Sequence, residues 1–421
     1  MASRRDFIKG AAVAGLATQL PWGIARASVP IADRKFIFVT CNGGWDVTKA
    51  FATCHDNPNV TMEPGTDVGR FGDLSFVDHA NRETVRRFFE LHYERSLILN
   101  GVMVPSVAHD ACRRLVMTGS TADSGSDWPA ILASAGAGTY PLPHLVLDGP
   151  SYPGRLGTMV TRTGGGGQLE DLLSGEILFD ADTPVQPLDY RSEDLVDRYL
   201  ERRAAAELLS AKHPEQTRLL DAYDQALQRS LGLKALQDDV DWGAGTLFGQ
   251  QIKVGVSALS LGISRCITMK FQENSWDTHT DNAPQQSENF RSLFNYLLVL
   301  MDTLAVNPGT SVGSTLADET LVVVVSEMGR TPQLNSDLGR DHWPCTSMLL
   351  VGPGVASGRV IGEFDEFFYG APVDPNTGDK DNGGILMTSA NVGASLIQLA
   401  DIDPEEFLPG VAPIPGLLGG G

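Results

Sequence analysis

Short apolar runs recur along the chain, each followed by a polar loop, and between them lie longer stretches of mixed charge and alanine. Lys35 to Thr40 (KFIFVT), Leu97 to Asn100, His144 to Leu147, Ile263 to Met269, Leu321 to Val325 and Met348 to Val351 read as strands. Leu321 to Val325 is the clearest, because an unbroken Leu-Val-Val-Val-Val has no polar alternation and fits a parallel strand covered on both faces. The helical segments are Arg82 to Arg95, Ser192 to Ser230 with a break near Pro214, Val254 to Leu261, Glu288 to Leu304 and Asn391 to Leu399. Strands alternating with helices over this length predict a layered α/β fold with a largely parallel sheet. The long 192–230 passage reads as a helical insertion rather than an independent domain. Gly164 to Gly167 lacks a preceding strand and a GKS/T ending, so it does not predict a phosphate loop. Pro409 to Gly421 reads as an extended surface tail.

The first residues follow a different pattern. Arg4 and Arg5 precede Phe7 and Ile8, a short apolar body runs from Gly10 to Leu20, and Ala25-Arg26-Ala27 supplies a small-residue exit. This is the order of a targeting peptide, and the arginine pair resembles the twin-arginine signal of bacteria. Residues 1–27 are therefore expected to be a signal peptide, and the apolar body is far shorter than the roughly 20 residues that span a bilayer. Export through the twin-arginine translocase would place a mature domain of 28–421 in the periplasm or the medium, without a transmembrane anchor.

The chain carries a formal charge of −20. The signal region has four basic residues against one acidic, a surplus of three, so the remainder stands near −23. A surface this acidic repels phosphate backbones, which excludes nucleic acid as a natural partner. An anionic small molecule or saccharide ester would need a local attraction, from a metal or a few basic groups. The cysteines (Cys41, Cys54, Cys112, Cys266 and Cys345) are odd in number and widely spaced. They exclude a dense disulfide scaffold, although a Cys41–Cys54 bond is compatible with an oxidising compartment.

Ligands of open α/β sheets bind beyond the carboxyl ends of strands, and four such exits carry chemistry here. Asp46 follows Gly43-Gly44, where it either binds a cation or caps a turn. Asp277 and His279 stand two apart in Trp276-Asp277-Thr278-His279, so an extended loop can point both the same way. Glu327 follows the most apolar strand directly, a place where burial is costly unless the carboxylate is paired or bound to a cation. Arg330 could pair with Glu327 or hold an anion by a bidentate contact. His342 lies in Arg340-Asp341-His342-Trp343, one loop away. Three carboxylates and two imidazoles suffice for one divalent metal (zinc, manganese, iron or, less comfortably, calcium).

FIFVTCNGGWD, HDACRRLVMTG, NSWDTHTDN and VVVVSEMGRTPQLNSDLGRDHWP resemble the bacterial family of unknown function DUF1501, over nearly the whole mature chain. That family is similar to the alkaline phosphatase and sulfatase superfamily, metal-dependent hydrolases of phosphate or sulfate esters. The resemblance implies a three-layer α/β sandwich with Asp46, Asp277, His279, Glu327 and His342 as metal ligands. The superfamily nucleophile opens a helix that ends in Thr-Gly. Here Thr118-Gly119 ends such a helix, and the usual distance back reaches His109, with Ser106 three residues earlier and Cys112 three later. His109 could bind metal, act as a base or accept the transferred group. Ser106 is either a helix cap or a nucleophile, and Arg330 or Arg113 could hold the ester oxygens. A non-catalytic metal protein that binds an envelope polymer or assists assembly is the alternative function.

Overall fold

The computed structural model describes residues 30, 33–136, 138–163, 190–234, 246–311 and 313–419. The expected signal peptide and the Gly164 to Gly167 run lie outside the described residues.

Twelve strands are present among these residues: β1 Lys35–Thr40, β2 Asp67–Phe71, β3 Leu74–Asp78, β4 Ser96–Met103, β5 His144–Val146, β6 Val160–Arg162, β7 Cys266–Lys270, β8 Thr320–Val325, β9 Gly329–Arg330, β10 His342–Trp343, β11 Cys345–Val351 and β12 Arg359–Ile361. The helices, numbered in chain order, are α1 Glu83–His92, α2 His109–Thr118, α3 Trp128–Ser134, α4 Tyr190–Ser210, α5 Pro214–Lys234, α6 Leu247–Ser260, α7 Asn282–Val306, α8 Leu316–Glu319 and α9 Ser389–Gln398.

Eight strands form one sheet in the order β12-β4-β11-β8-β1-β7-β5-β6. All neighbours pair in parallel except at β11, which runs antiparallel to both β4 and β8. Met348 to Val351 is therefore a strand, but its direction opposes the others; an apolar run carries no sign of direction. The consequence matters for the site, because β11 begins at the edge where its neighbours end.

The strands bury both faces, and alternate residues separate into two cores. Ile37 and Val39 of β1, with Val322 and Val324 of β8, face Phe88 and Phe89 of α1, Ile252 of α6 and Phe290 and Phe294 of α7. Phe36 and Phe38, with Leu321, Val323 and Val325, face Leu115 of α2, Ile131 of α3 and Leu396 of α9. Helix, sheet and helix make three layers, as expected. The passage near Pro214 is two helices, α4 and α5, that pack on each other. The β2–β3 hairpin was not expected: Asp67, Val68 and Arg70 are exposed, so its outer strand lacks an apolar run. The tail departs from a surface segment, since Ile414 and Leu417 are buried in the second core. All five cysteines are free thiols, so Cys41 and Cys54 are not bonded.

A candidate metal centre at the carboxyl edge of the sheet

Parallel β1, β4, β7 and β8 deliver 41–46, 104–109, 271–279 and 326–330 to one edge of the sheet, and the start of β11 brings His342 to the same edge. The two-residue ladder of β9 and β10 sets His342 opposite Arg330. Gly43 and Gly44 permit the β1 loop to lie against the β7 loop. Both have positive φ, and a Cβ on Gly43 would stand 2.8 Å from the Asp277 nitrogen and 2.9 Å from the Trp276 Cβ.

Asp277 is the hub of the cluster. Its Oδ1 stands 3.1 Å from His279 Nε2 and 3.2 Å from His342 Nε2, and those two nitrogens are 3.1 Å apart. His109 Nε2 lies 3.4 Å from Asp277 Oδ2, and its ring is 4.4 Å from that of His342. Coordinating atoms of His109, Asp277 and His342 all fall within 4.8 Å of one another. The four side chains are between 22% and 44% exposed, so the cluster opens to solvent.

The opposite side of each ring fixes where its proton sits. His342 Nδ1 is 2.8 Å from the Val107 carbonyl, which can only accept. His279 Nδ1 is 2.8 Å from Asp341 Oδ1, and His109 Nδ1 is 2.9 Å from Glu327 Oε1. Each Nδ1 therefore donates, and in the neutral imidazole each Nε2 keeps a lone pair. Three lone pairs converge on one carboxylate, and the buried His109 Nε2 has no hydrogen-bond partner. Such an arrangement is repulsive until a proton or a cation enters it. Metal-binding histidines characteristically have this second hydrogen bond to an oxygen. The separations of 3.1, 3.1, 3.2 and 3.4 Å are close to those between neighbouring ligands of one ion, and His109, Asp277 and His342 are the three whose ligand atoms all lie within mutual reach. Zinc bonds of about 2.0–2.1 Å in a tetrahedron put ligands roughly 3.3 Å apart.

Electrostatics around the cluster follow from its partners. Burial would raise the Asp277 carboxyl, but the Arg330 guanidinium, His342 and His109 outweigh it and hold it at about 2. The hydrogen bond to Glu327 raises His109 against the opposing effect of burial. The hydrogen bond from His279 lowers Asp341.

Several expected residues take other places. Asp46 is wholly buried and caps the turn Val47–Lys49: its Oδ1 accepts from Thr48 N at 3.1 Å and Thr48 Oγ at 2.7 Å. Arg340 Nε stands 3.2 Å from Oδ2 as a charge contact whose geometry falls short of a hydrogen bond. The cap, not the cation site, is what the geometry shows, because Arg340 supplies the positive charge there. Glu327 lies behind His109 rather than beside Asp277; both its oxygens accept from Gly43 N, at 2.7 and 3.0 Å. Arg330 donates to the carbonyls of Gly43, Gly44 and Arg340 and to Asp277, so four of its five N–H groups are committed and it is a fully buried clamp within the loops. Arg113 pairs with Asp110. Ser106 does not cap α2, whose N-cap is Ala108; its hydroxyl accepts from Ala108 N at 3.2 Å. Cys112 is buried, and burial raises its thiol.

An α/β sandwich with three histidines and an aspartate converging beyond its parallel strands defines the class. The family model described as "Protein of unknown function (DUF1501)" matches residues 186–379, which include Asp277, His279 and His342. The model for the twin-arginine translocation pathway signal sequence matches residues 1–21, and this signal points to export. The chain resembles DUF1501, as its motifs implied, and among the described residues no helix is long and apolar enough to cross a membrane.

No curated protein sequence matches the chain. Among solved structures, a protein in the alkaline phosphatase superfamily from Vibrio parahaemolyticus is 8% identical with a TM-score of 0.36, over 88% of this chain and 67% of that one. A phosphonate monoester hydrolase from Silicibacter pomeroyi is 12% identical with a TM-score of 0.30, over 90% and 77%. A 2-O GAG sulfatase is 10% identical with a TM-score of 0.35, over 90% and 74%. Likeness at this level says nothing about what the chain acts on.

Proposed function

We propose that the chain is an exported, metal-dependent hydrolase of phosphate or sulfate esters, with His109, His279, His342 and Asp277 as the metal ligands. The observation that carries the reading is the convergence of three Nε2 lone pairs on Asp277, each ring held by an oxygen behind it. A nitrogen-rich set favours zinc, manganese or iron over calcium, which takes six to eight oxygens. When bound, such a metal supplies Lewis acidity toward an ester oxygen.

The remaining chemistry belongs to the chain. Arg330 keeps Asp277 ionised, and Glu327 aims His109. The N-cap Ala108 offers no side chain to the first amides of α2, a helix that opens with His109. A tetrahedral anion at the cluster would meet those amides and the favourable end of the helix dipole. This gives an acidic protein a local attraction for an anionic ester. Ser106 Oγ accepts from Ala108 N and has no hydrogen bond to the cluster among the described residues, Cys112 is buried, and the attacking group is read as water.

The uncommitted hydroxyl expected of a covalent mechanism is absent from the described contacts of the cluster, and that favours the second reading, a metal protein without turnover. The two separate on one assay. Protein loaded with zinc or manganese, offered aryl phosphate, aryl sulfate and phosphonate monoesters, should hydrolyse at least one class, and the H342A variant should not. Stoichiometric metal with no hydrolysis of any class would leave the non-catalytic reading standing.

A further inference from the structure

Helix α2 opens with His109, and Arg113 stands four residues on, which places the two side chains on one face, roughly 6 Å apart at their roots. Arg114 follows it. β5 runs parallel to β7, so the 147–152 loop leaves the sheet at the edge that carries the cluster, and it brings Tyr152 against α2. Asp127 holds Tyr152 at both backbone groups. Its Oδ2 accepts from the Tyr152 N–H at 2.5 Å, and its own N–H donates to the Tyr152 carbonyl at 2.8 Å.

Both arginines converge on this tyrosine. The Arg114 guanidinium lies 4.7 Å from the centre of the ring. Burial raises the phenol, while the Arg113 and Arg114 charges oppose that rise, Arg113 also through a hydrogen bond to the hydroxyl. Two like charges are thus held around one phenol, and their counter-ions are loosely placed. Arg113 pairs with Asp110, and Arg114 with Asp123 at 3.0 Å. Those carboxylates are 95% and 96% exposed, whereas the arginines are 32% and 25% exposed. A carboxylate that stays in water gains little from such a pair, so an incoming oxyanion displaces it readily. The planar guanidinium fork suits phosphate, sulfate or carboxylate oxygens.

We propose that Arg113, Arg114 and the Tyr152 hydroxyl form an anion subsite about one helical turn from the metal centre. It takes a second phosphate, sulfate or carboxylate of an ester whose reacting group lies at the cluster. The substrate class is thereby esters with at least two anionic groups. The inference rests on the hydrolase reading for the first group, and its test reads binding rather than turnover. Arg113 leaves Asp110 for the second anion, Arg114 adds its charge from the ring face, and the Tyr152 hydroxyl donates to an oxygen while accepting from Arg113.

The test is calorimetric titration of the full chain carrying one equivalent of zinc, with propane-1,3-diol bisphosphate and with propyl phosphate. These differ by one phosphate. The bisphosphate should bind at least tenfold more tightly. In the double variant Arg113→Gln, Arg114→Gln the two affinities should fall within about twofold of each other. Tyr152→Phe keeps the ring beneath Arg114 and removes the hydroxyl, and it should reduce the advantage severalfold. Equal affinities in the native chain, no binding of either compound, or an advantage that persists in the double variant would overturn the proposal. An advantage without hydrolysis of either compound would overturn only the hydrolase reading, and hydrolysis of propyl phosphate without the advantage would overturn only the subsite.

Discussion

Asp46 and Asp277 are both aspartates just past a strand of the same sheet, both beside an arginine, and they end in different roles. Asp46 is fully buried between Thr48 and Arg340. Burial raises its carboxyl, but the Arg340 and Lys49 charges win and lower it. Asp277 is 38% exposed and also meets an arginine, yet both its oxygens face imidazole nitrogens that keep lone pairs. What separates them is the second set of partners. At the first site Thr48 and the Arg340 charge already stand against the carboxylate, whereas the lone pairs at the second call for a proton or cation.

Substitutions at the two positions should therefore break different properties. Asp277→Ala removes the residue shared by all three histidines, and metal affinity should fall by more than a hundredfold in a zinc titration. Arg330 keeps three carbonyl acceptors, so the melting temperature should change little. Asp46→Ala should do the reverse. Leaving Arg340 buried without its counter-charge costs about 3–5 kcal/mol, readable as a lowered urea midpoint, while the folded protein still binds zinc. If Asp46→Ala abolished metal binding with stability intact, the contrast would be wrong.

A smaller effect belongs to Glu327→Gln. The amide still has an oxygen for His109 or Gly43 but loses the symmetric carboxylate, and metal affinity should drop about 10–100-fold. An unchanged affinity would show that Glu327 does not orient His109.

The mildest effect is in pH. Glu327 raises the folded His109 value. In metal-free protein its protonated form contributes stability below the unfolded imidazole value, about 6.5, and that contribution disappears as pH rises through the raised folded value. Metal requires neutral imidazole, so loading should strengthen over the same rise. Thermal melts of stripped and loaded protein should thus move in opposite directions as pH is raised through and above 6.5. Parallel movement would contradict the assignment of His109 to both equilibria.

The strands were readable because Leu321 to Val325 and its neighbours bury both faces, which leaves no polar alternation. β11 was readable as a strand but not in direction, and the exposed positions of β2 hid a hairpin. Within the site, Asp277, His279 and His342 could be proposed from strand exits alone. His109 emerged from its distance to Thr118-Gly119, which left it open between ligand, base and nucleophile; that its Nε2 stands unpartnered beside Asp277 is visible only in the fold. Asp46 misled because its partner, Arg340, is 294 positions away in the chain, and no local pattern announces such a pair. Asp341 and the Val107 carbonyl, which fix two tautomers, were not anticipated; the adjacency of Asp341 to His342 was the only signal for the first. Val107 acts through its backbone, which sequence cannot label.

The central claim is that three histidines and Asp277 hold one metal, and an equilibrium zinc titration followed by elemental analysis tests it most directly. One equivalent should bind to the exported chain, and His109→Ala, His342→Ala and Asp277→Ala should each lose it while Asp46→Ala retains it. Failure of the native chain to bind zinc, manganese or iron, or one equivalent persisting in all three variants, would contradict the account.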